Sequence, residues 1–166
     1  MTISGQDGKA DPINKVYIVV VTVLTFVLPV ICFVSDHLIN GTALSLELFG
    51  KWFIFSAVGL RLFLAGIRQT TKPAFTAREI FHIDSPEVFP IVRELGFANL
   101  CFGIVGIVSL FKPEWRVVSA CGSGLYYGFA GMMHVIRKPV GTNEKVALWT
   151  DLIIFTVLVI YFIKTV

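Results

Sequence analysis

Charge is what this sequence has least of. Charged residues make up 15% of its 166 positions, against about 25% in a soluble domain. Hydrophobic residues make up 55%, and the mean hydropathy is +0.80. The formal charge of +3 is thinly spread over short loops, which leaves no electrostatic footprint for nucleic acid. Cys32, Cys101 and Cys121 each stand alone in an apolar run. The absence of a C-x-x-C pair excludes a dithiol redox motif and a zinc ribbon. One histidine, His134, falls inside an apolar run, which argues against a bis-histidine haem. No internal repeat, heptad seam, low-complexity tract, catalytic motif or cofactor motif is present.

What the sequence has instead is a series of runs long enough to cross a bilayer. The expected fold class is all-α, a polytopic transmembrane helical bundle. Residues 1–15 read as a polar N-terminal tail and 16–166 as one transmembrane domain. Five spans are expected, near 16–34, 48–67, 89–111, 115–136 and 146–163. Pro29 in the first is tolerable where neighbouring groups satisfy the freed backbone. That run is too long for a usual signal-peptide core and no A-x-A-like site follows it, so it reads as a retained helix. Lys51 and Trp52 open the second span as interfacial anchors would. Residues 75–83 suit a short amphipathic helix on the membrane surface. The triplet Asn40-Gly41-Thr42 has the pattern of a glycosylation acceptor.

Lys112-Pro113-Glu114 is so short a turn that the third and fourth spans should be antiparallel neighbours. The fourth carries Gly122, Gly124, Gly128 and Gly131. Gly124-x-x-x-Gly128 lets helix backbones approach closely, and Gly96 and Gly131 are further packing candidates. With five spans, eight Lys/Arg (Lys9, Lys15, Arg68, Lys72, Arg78, Arg137, Lys138, Lys145) gather on one side and four (Lys51, Lys112, Arg116, Lys164) on the other. The richer side is cytoplasmic by the positive-inside rule. The N-terminus is therefore expected inside and the C-terminus outside, in an integral membrane protein of the kind found in a bacterial inner membrane.

This orientation groups the intramembrane polar residues. Counting about 1.5 Å per residue from the helix ends, Arg61, Glu94, His134 and Asp151 fall at one depth near the cytoplasmic face, and Asn99 lies deeper. Charges in lipid are expensive, so these groups should face one another. Arg61 would pair with Glu94 or Asp151. The layer suits a structural charge network first, with the site of a small ligand or a proton relay as the alternative. Glu94, His134 and Asp151 are adequate ligand types for a divalent ion, but their spacing is no metal motif.

The stretch Glu94-Leu95-Gly96-Phe97-Ala98-Asn99-Leu100 resembles the E-x-G-F-A-N-L element of a family of small, uncharacterised bacterial membrane proteins. Gly59-Leu60-Arg61 before it, Met133-His134-Val135-Ile136 after it and Trp149-Thr150-Asp151-Leu152 match in order. Met133 stands where the pattern has glycine. The family is similar to DoxX-like four-helix membrane proteins, which implies a four-helix core plus an N-terminal helix. The functional expectation is a non-enzymatic structural or accessory subunit with a buried polar layer. The alternatives are a quinone-linked redox accessory subunit, which the resemblance implies, and a small-molecule or proton carrier. No cofactor is indicated. The expected partners are the lipid bilayer and other membrane subunits or a second copy.

Overall fold

A computed structural model describes residues 13–139 and 141–166. Most of the expected polar tail, with Lys9, lies outside these residues. Among the described residues the chain forms helices and turns only. We number them α1 (Lys15–Asn40), α2 (Leu46–Thr71), the short α3 (73–80), α4 (Phe89–Val108), α5 (Trp115–Arg137) and α6 (Thr142–Thr165).

Four of these are long and apolar enough to cross a membrane: α1, α2, α4 with its preceding 3₁₀ turn (Pro86–Val108), and α6. Of the five spans expected from the sequence, four meet this criterion among the described residues. The difference is α5, which has the length, at 23 residues, but not the apolarity. Its glycines, Ser119, Ser123, Tyr126, Tyr127 and His134 dilute the aliphatic content.

The outer helix α1 shows one face of Val16, Val19, Val23, Val27 and Val30 to the surroundings. In water such a face would be unstable; in lipid it is the ordinary exterior of a bundle. The core lies between α2, α5 and α6, where Ile54, Ala57, Val58, Leu62, Tyr127, Ile154 and Leu158 pack together.

Glycine sets how close two of these helices come. Gly59 and Gly66 of α2 face Gly106 and Gly96 of α4, so that a Cβ on Gly106 would lie 2.7 Å from the Gly59 Cα. Three glycines of α5 face α6, where Gly124 meets Leu158, Gly128 the Phe155 ring and Gly131 Leu152, while Gly122 faces Phe102 of α4 across the short turn. Helices α4 and α5 touch far less than α2 and α4 or α5 and α6 do.

Two spans contain π-helical turns, Val23–Val27 in α1 and Ile54–Leu60 in α2. Pro29 lacks the N–H that would reach back to the carbonyls one turn earlier. The Ser56 hydroxyl donates to the Leu24 carbonyl at 2.6 Å and so satisfies one of them. The two irregular turns thereby bind each other.

At the end of the bundle where α1 joins α2, Asp36 is buried and holds the connection closed. Its carboxylate accepts from Lys51 Nζ (2.7 Å), Trp52 Nε1 (2.8 Å), Asn40 Nδ2 (2.9 Å) and Thr42 Oγ1 (3.0 Å). Lys51 and Trp52, expected as interfacial anchors, are therefore ligands of an acid. Both polar members of the Asn40-Gly41-Thr42 triplet are occupied in the same way, and Gly41 closes α1 in the left-handed region at φ 66°. Cys101 and Cys121 are free and exposed, on outer faces and not in the core, and Cys32 is half-buried.

Candidate functional site

At the opposite end of the bundle the helices enclose a cavity of about 700 Å³, within the usual size of small-molecule sites (about 300–1,000 Å³). Every helix contributes to its wall. Arg61 comes from α2, Asn99 from α4, Tyr126, Tyr127 and His134 from α5, and Asp151 from α6. The start of α1 adds Tyr17, and the segment of α3 folds underneath with Phe75, Thr76, Ile80 and Phe81. The remaining lining is largely aliphatic. Phe129, Met133 and Leu64 line it while also being exposed on the outer surface of the bundle, so the cavity has an apolar mouth beside the loosely joined α4 and α5.

Arg61 is placed by the π turn that ends at Leu60. Such a turn shifts the helical register and frees backbone carbonyls, and is frequent at functional sites. The Tyr127 hydroxyl donates to the Ala57 carbonyl within this turn at 2.9 Å. The Tyr127 ring also lies beside the guanidinium, 5.1 Å from centroid to Cζ. Arg61 Nη2 donates to Asp151 Oδ1 at 2.8 Å and to Thr150 Oγ1 at 2.9 Å. Arg61 Nη1 is buried with no hydrogen-bond partner.

The acid side of the pair continues outward. Asp151 Oδ2 lies 4.0 Å from His134 Nε2. His134 Nδ1 lies 3.8 Å from Glu144 Oε1, and Glu144 Oε2 lies 3.2 Å from His82 Nε2. Carboxylate and imidazole alternate, each presenting one atom inward and the other outward. His82 is at the surface, with a positive φ of 54°. The start of α6 is fixed by Asn143, which accepts from the Asn14 backbone N–H at 3.1 Å and donates to Glu79 at 3.2 Å. On the α4 side, Asn99 Nδ2 donates to Gln69 Oε1 at 2.6 Å, and Asn99 Oδ1 is left buried without a partner. Arg68 stacks on the Phe75 ring at 3.4 Å, and Arg137 donates to the Phe81 carbonyl at 2.6 Å.

Arg61, Asn99, His134 and Asp151 thus share one wall. Glu94 does not. It is exposed on the outer face of α4 and stands outside the lining, where its neighbour Leu95 takes part. The expected choice of Glu94 or Asp151 for Arg61 resolves to Asp151. Phe97 and Trp149, which stand in the same sequence elements as Glu94 and Asp151, are also exposed. Four residues were missed. Gln69 was passed over as a helix end, and Arg68 as an orientation charge. Glu144 was missed because α6 begins at Thr142, four residues before the expected start at 146. His82 falls in the stretch 75–83 expected as a surface helix, and the helix ends before it, at residue 80. Among the described residues no group of His, Cys, Asp and Glu is arranged to hold a metal ion.

No curated protein and no solved structure matches this chain. A family model does, over residues 16–165, which takes in all five long helices and every residue of the cavity wall. That family carries no assigned activity and no demonstrated DoxX kinship, so the matching residues identify kin without supplying a reaction. The chain belongs to the family of unknown function DUF6790.

Proposed function

We propose that this multi-pass membrane protein binds a small amphiphile in its cavity. Arg61, Asn99, His134 and Asp151 surround the polar head, and the apolar part lies among Leu64, Phe129 and Met133. One observation carries this reading: Arg61 Nη1 and Asn99 Oδ1 are buried without partners on the wall of an otherwise largely apolar cavity of about 700 Å³. A buried polar atom without a partner costs about 1–3 kcal/mol. Both side chains line the cavity, where the polar head of a bound molecule would supply the missing partner. Glu94 takes no part in binding and serves as a surface acid of α4.

The protein acts in this reading as a binding or accessory component without chemistry of its own. The apolar mouth gives a bilayer-dissolved molecule a way in. In the same reading α5 is a fifth crossing. Its 23 residues extend about 35 Å at 1.5 Å per residue, and α6 shelters its glycine face. Five crossings with the observed Lys/Arg distribution put the N-terminus and the cavity end on the cytoplasmic side.

The test is extraction. Protein purified in maltoside detergent should release an amphiphile in near-stoichiometric amount, identified by mass spectrometry. Ala130→Trp, which fills the cavity, should abolish its recovery. Recovery of only bulk lipid, in the same proportions from both forms, would leave the polar wall as a structural device. A quinone in the extract would select the quinone-linked reading, which the His134–Asp151 pair beside an apolar chamber also favours, since a reducible ring needs a proton donor.

A further inference from the structure

The polar wall carries its own statement about the head group. Of the guanidiniums that line the cavity only that of Arg61 is buried, and it faces the one carboxylate of the lining, Asp151. Arg68 and Arg137 are half-buried or exposed and already engaged with Phe75 and Phe81. Arg61 is the deep one, and its free Nη1 is a charged donor. Resting on the binding reading above, we propose that the ligand is an anion, a carboxylate-, phosphate- or sulfonate-type head on an apolar chain, and that it enters together with one proton.

Arg61 is neutralised by Asp151 at 2.8 Å in the empty cavity. An anion placed against Nη1 makes a site of two negative groups around one buried cation, and an uncompensated buried charge costs several kcal/mol. One proton removes the excess. It settles on the Asp151 carboxylate, beside which the His134 ring lies at 4.0 Å. The balance is simple: one anion and one proton enter, no net charge is added, and Arg61 exchanges half of its pairing from Asp151 to the ligand.

The fold supplies the route for that proton. From the surface it passes His82, Glu144 and His134 to Asp151, over separations of 3.2, 3.8 and 4.0 Å. The last two exceed hydrogen-bond length, so the His134 ring meets one carboxylate and then the other by tilting between them. The ionisable groups around this pair are Tyr17 on α1, Arg61 and Arg68 on α2, and Glu79 and His82 in the α3 segment. Tyr126, Tyr127 and Arg137 on α5 and Glu144 on α6 complete the set, and α4 contributes none.

The probe is dodecanesulfonate, which stays ionised throughout the useful pH range, so any pH dependence belongs to the protein. Dodecanol is the neutral comparison. Titration calorimetry on the full chain in maltoside, in phosphate and in Tris buffer, should show heats that differ by the uptake of about one proton per sulfonate bound. The affinity should weaken as pH rises, by up to about tenfold per unit wherever one whole proton is taken up. Dodecanol should bind more weakly and without buffer dependence. Glu144→Gln should keep the affinity and slow the approach to equilibrium after a pH jump. An unchanged rate in that variant removes the route.

Equal binding of sulfonate and dodecanol without proton uptake overturns the anion proposal and leaves the binding function standing. Failure of both probes, with no amphiphile recovered on extraction, overturns both. Nanodiscs separate the two natural sources of such a head. Weaker sulfonate binding in phosphatidylglycerol than in phosphatidylcholine discs identifies the bilayer's own anionic lipid as the occupant, and equal binding identifies a free single-chain anion.

Discussion

Neutralising Asp151 is the sharpest perturbation this architecture offers. Asp151→Asn preserves shape and removes the charge that faces Arg61 across 2.8 Å. The guanidinium cannot relax outward, because both side chains are about 10% exposed and the Tyr127 ring closes one side. Breaking a buried pair by removing one partner costs about 3–5 kcal/mol. For a chain of this length each kcal/mol shifts the melting temperature by about 2–4 °C, so the expected fall is about 6–20 °C. Removing both charges together, in Arg61→Met/Asp151→Leu, should cost much less, because no orphaned charge remains. The assay is detergent-solubilised thermal unfolding followed by size-exclusion chromatography, on Asp151→Asn and on the closed cycle of Arg61→Met, Asp151→Leu and their double. The cycle should return a coupling of more than about 2 kcal/mol between the two positions. Additive losses, or a single variant that melts within about 2 °C of the parent, would refute the claim that the pair is shielded from water.

Three further outcomes follow from the same structure. Gly106→Val should lower the melting temperature sharply, since even the first added carbon falls 2.7 Å from the Gly59 backbone; overpacking of this kind costs about 1–3 kcal/mol or more, and the same detergent melt reads it. Glu94→Gln should melt with the parent and leave amphiphile recovery unchanged, as befits an exposed residue outside the cavity. Asp36→Asn should loosen the join between α1 and α2, read as a shift in Trp52 emission and faster proteolysis within residues 41–45, because four donors lose an ionised acceptor.

Depth was legible in the sequence and rotation was not. Counting residues from the span ends groups Arg61, His134 and Asp151 at one level, since rise per residue is nearly constant. It cannot say which way a side chain points. Glu94 and Asn99 are five residues apart, about 140° around a helix, so they cannot share a wall. Spacing did hold the answer: Val92, Gly96, Asn99, Gly103 and Gly106 are all buried, a 3–4 stripe with Asn99 on it and Glu94 off it. The fourth of the expected spans raises a different problem. Small and polar residues make α5 suited to a crowded interior and, for the same reason, too polar to register as a lipid-facing segment. Glu144 was hidden by a boundary, because polar residues at the head of a helix read as loop until the cap is seen.

The glycine seam between α2 and α4 has a mechanical consequence. Two backbones in direct contact at Gly59–Gly106 and Gly66–Gly96 have no side-chain cushion to shear, so they travel as one plate. Helices α5 and α6 form a second plate, locked by Phe155 and Leu152 seated over Gly128 and Gly131. The plates meet along the core of α2, α5 and α6 and at the Tyr127–Ala57 hydrogen bond, with the tight turn at residues 112–114 at one end and the Arg61–Asp151 bond at the other. Opposed in this way, the turn and the ion pair fix the two ends of one shared core, so a substitution at Arg61 or Asp151 bears on the end of the bundle where the chamber lies.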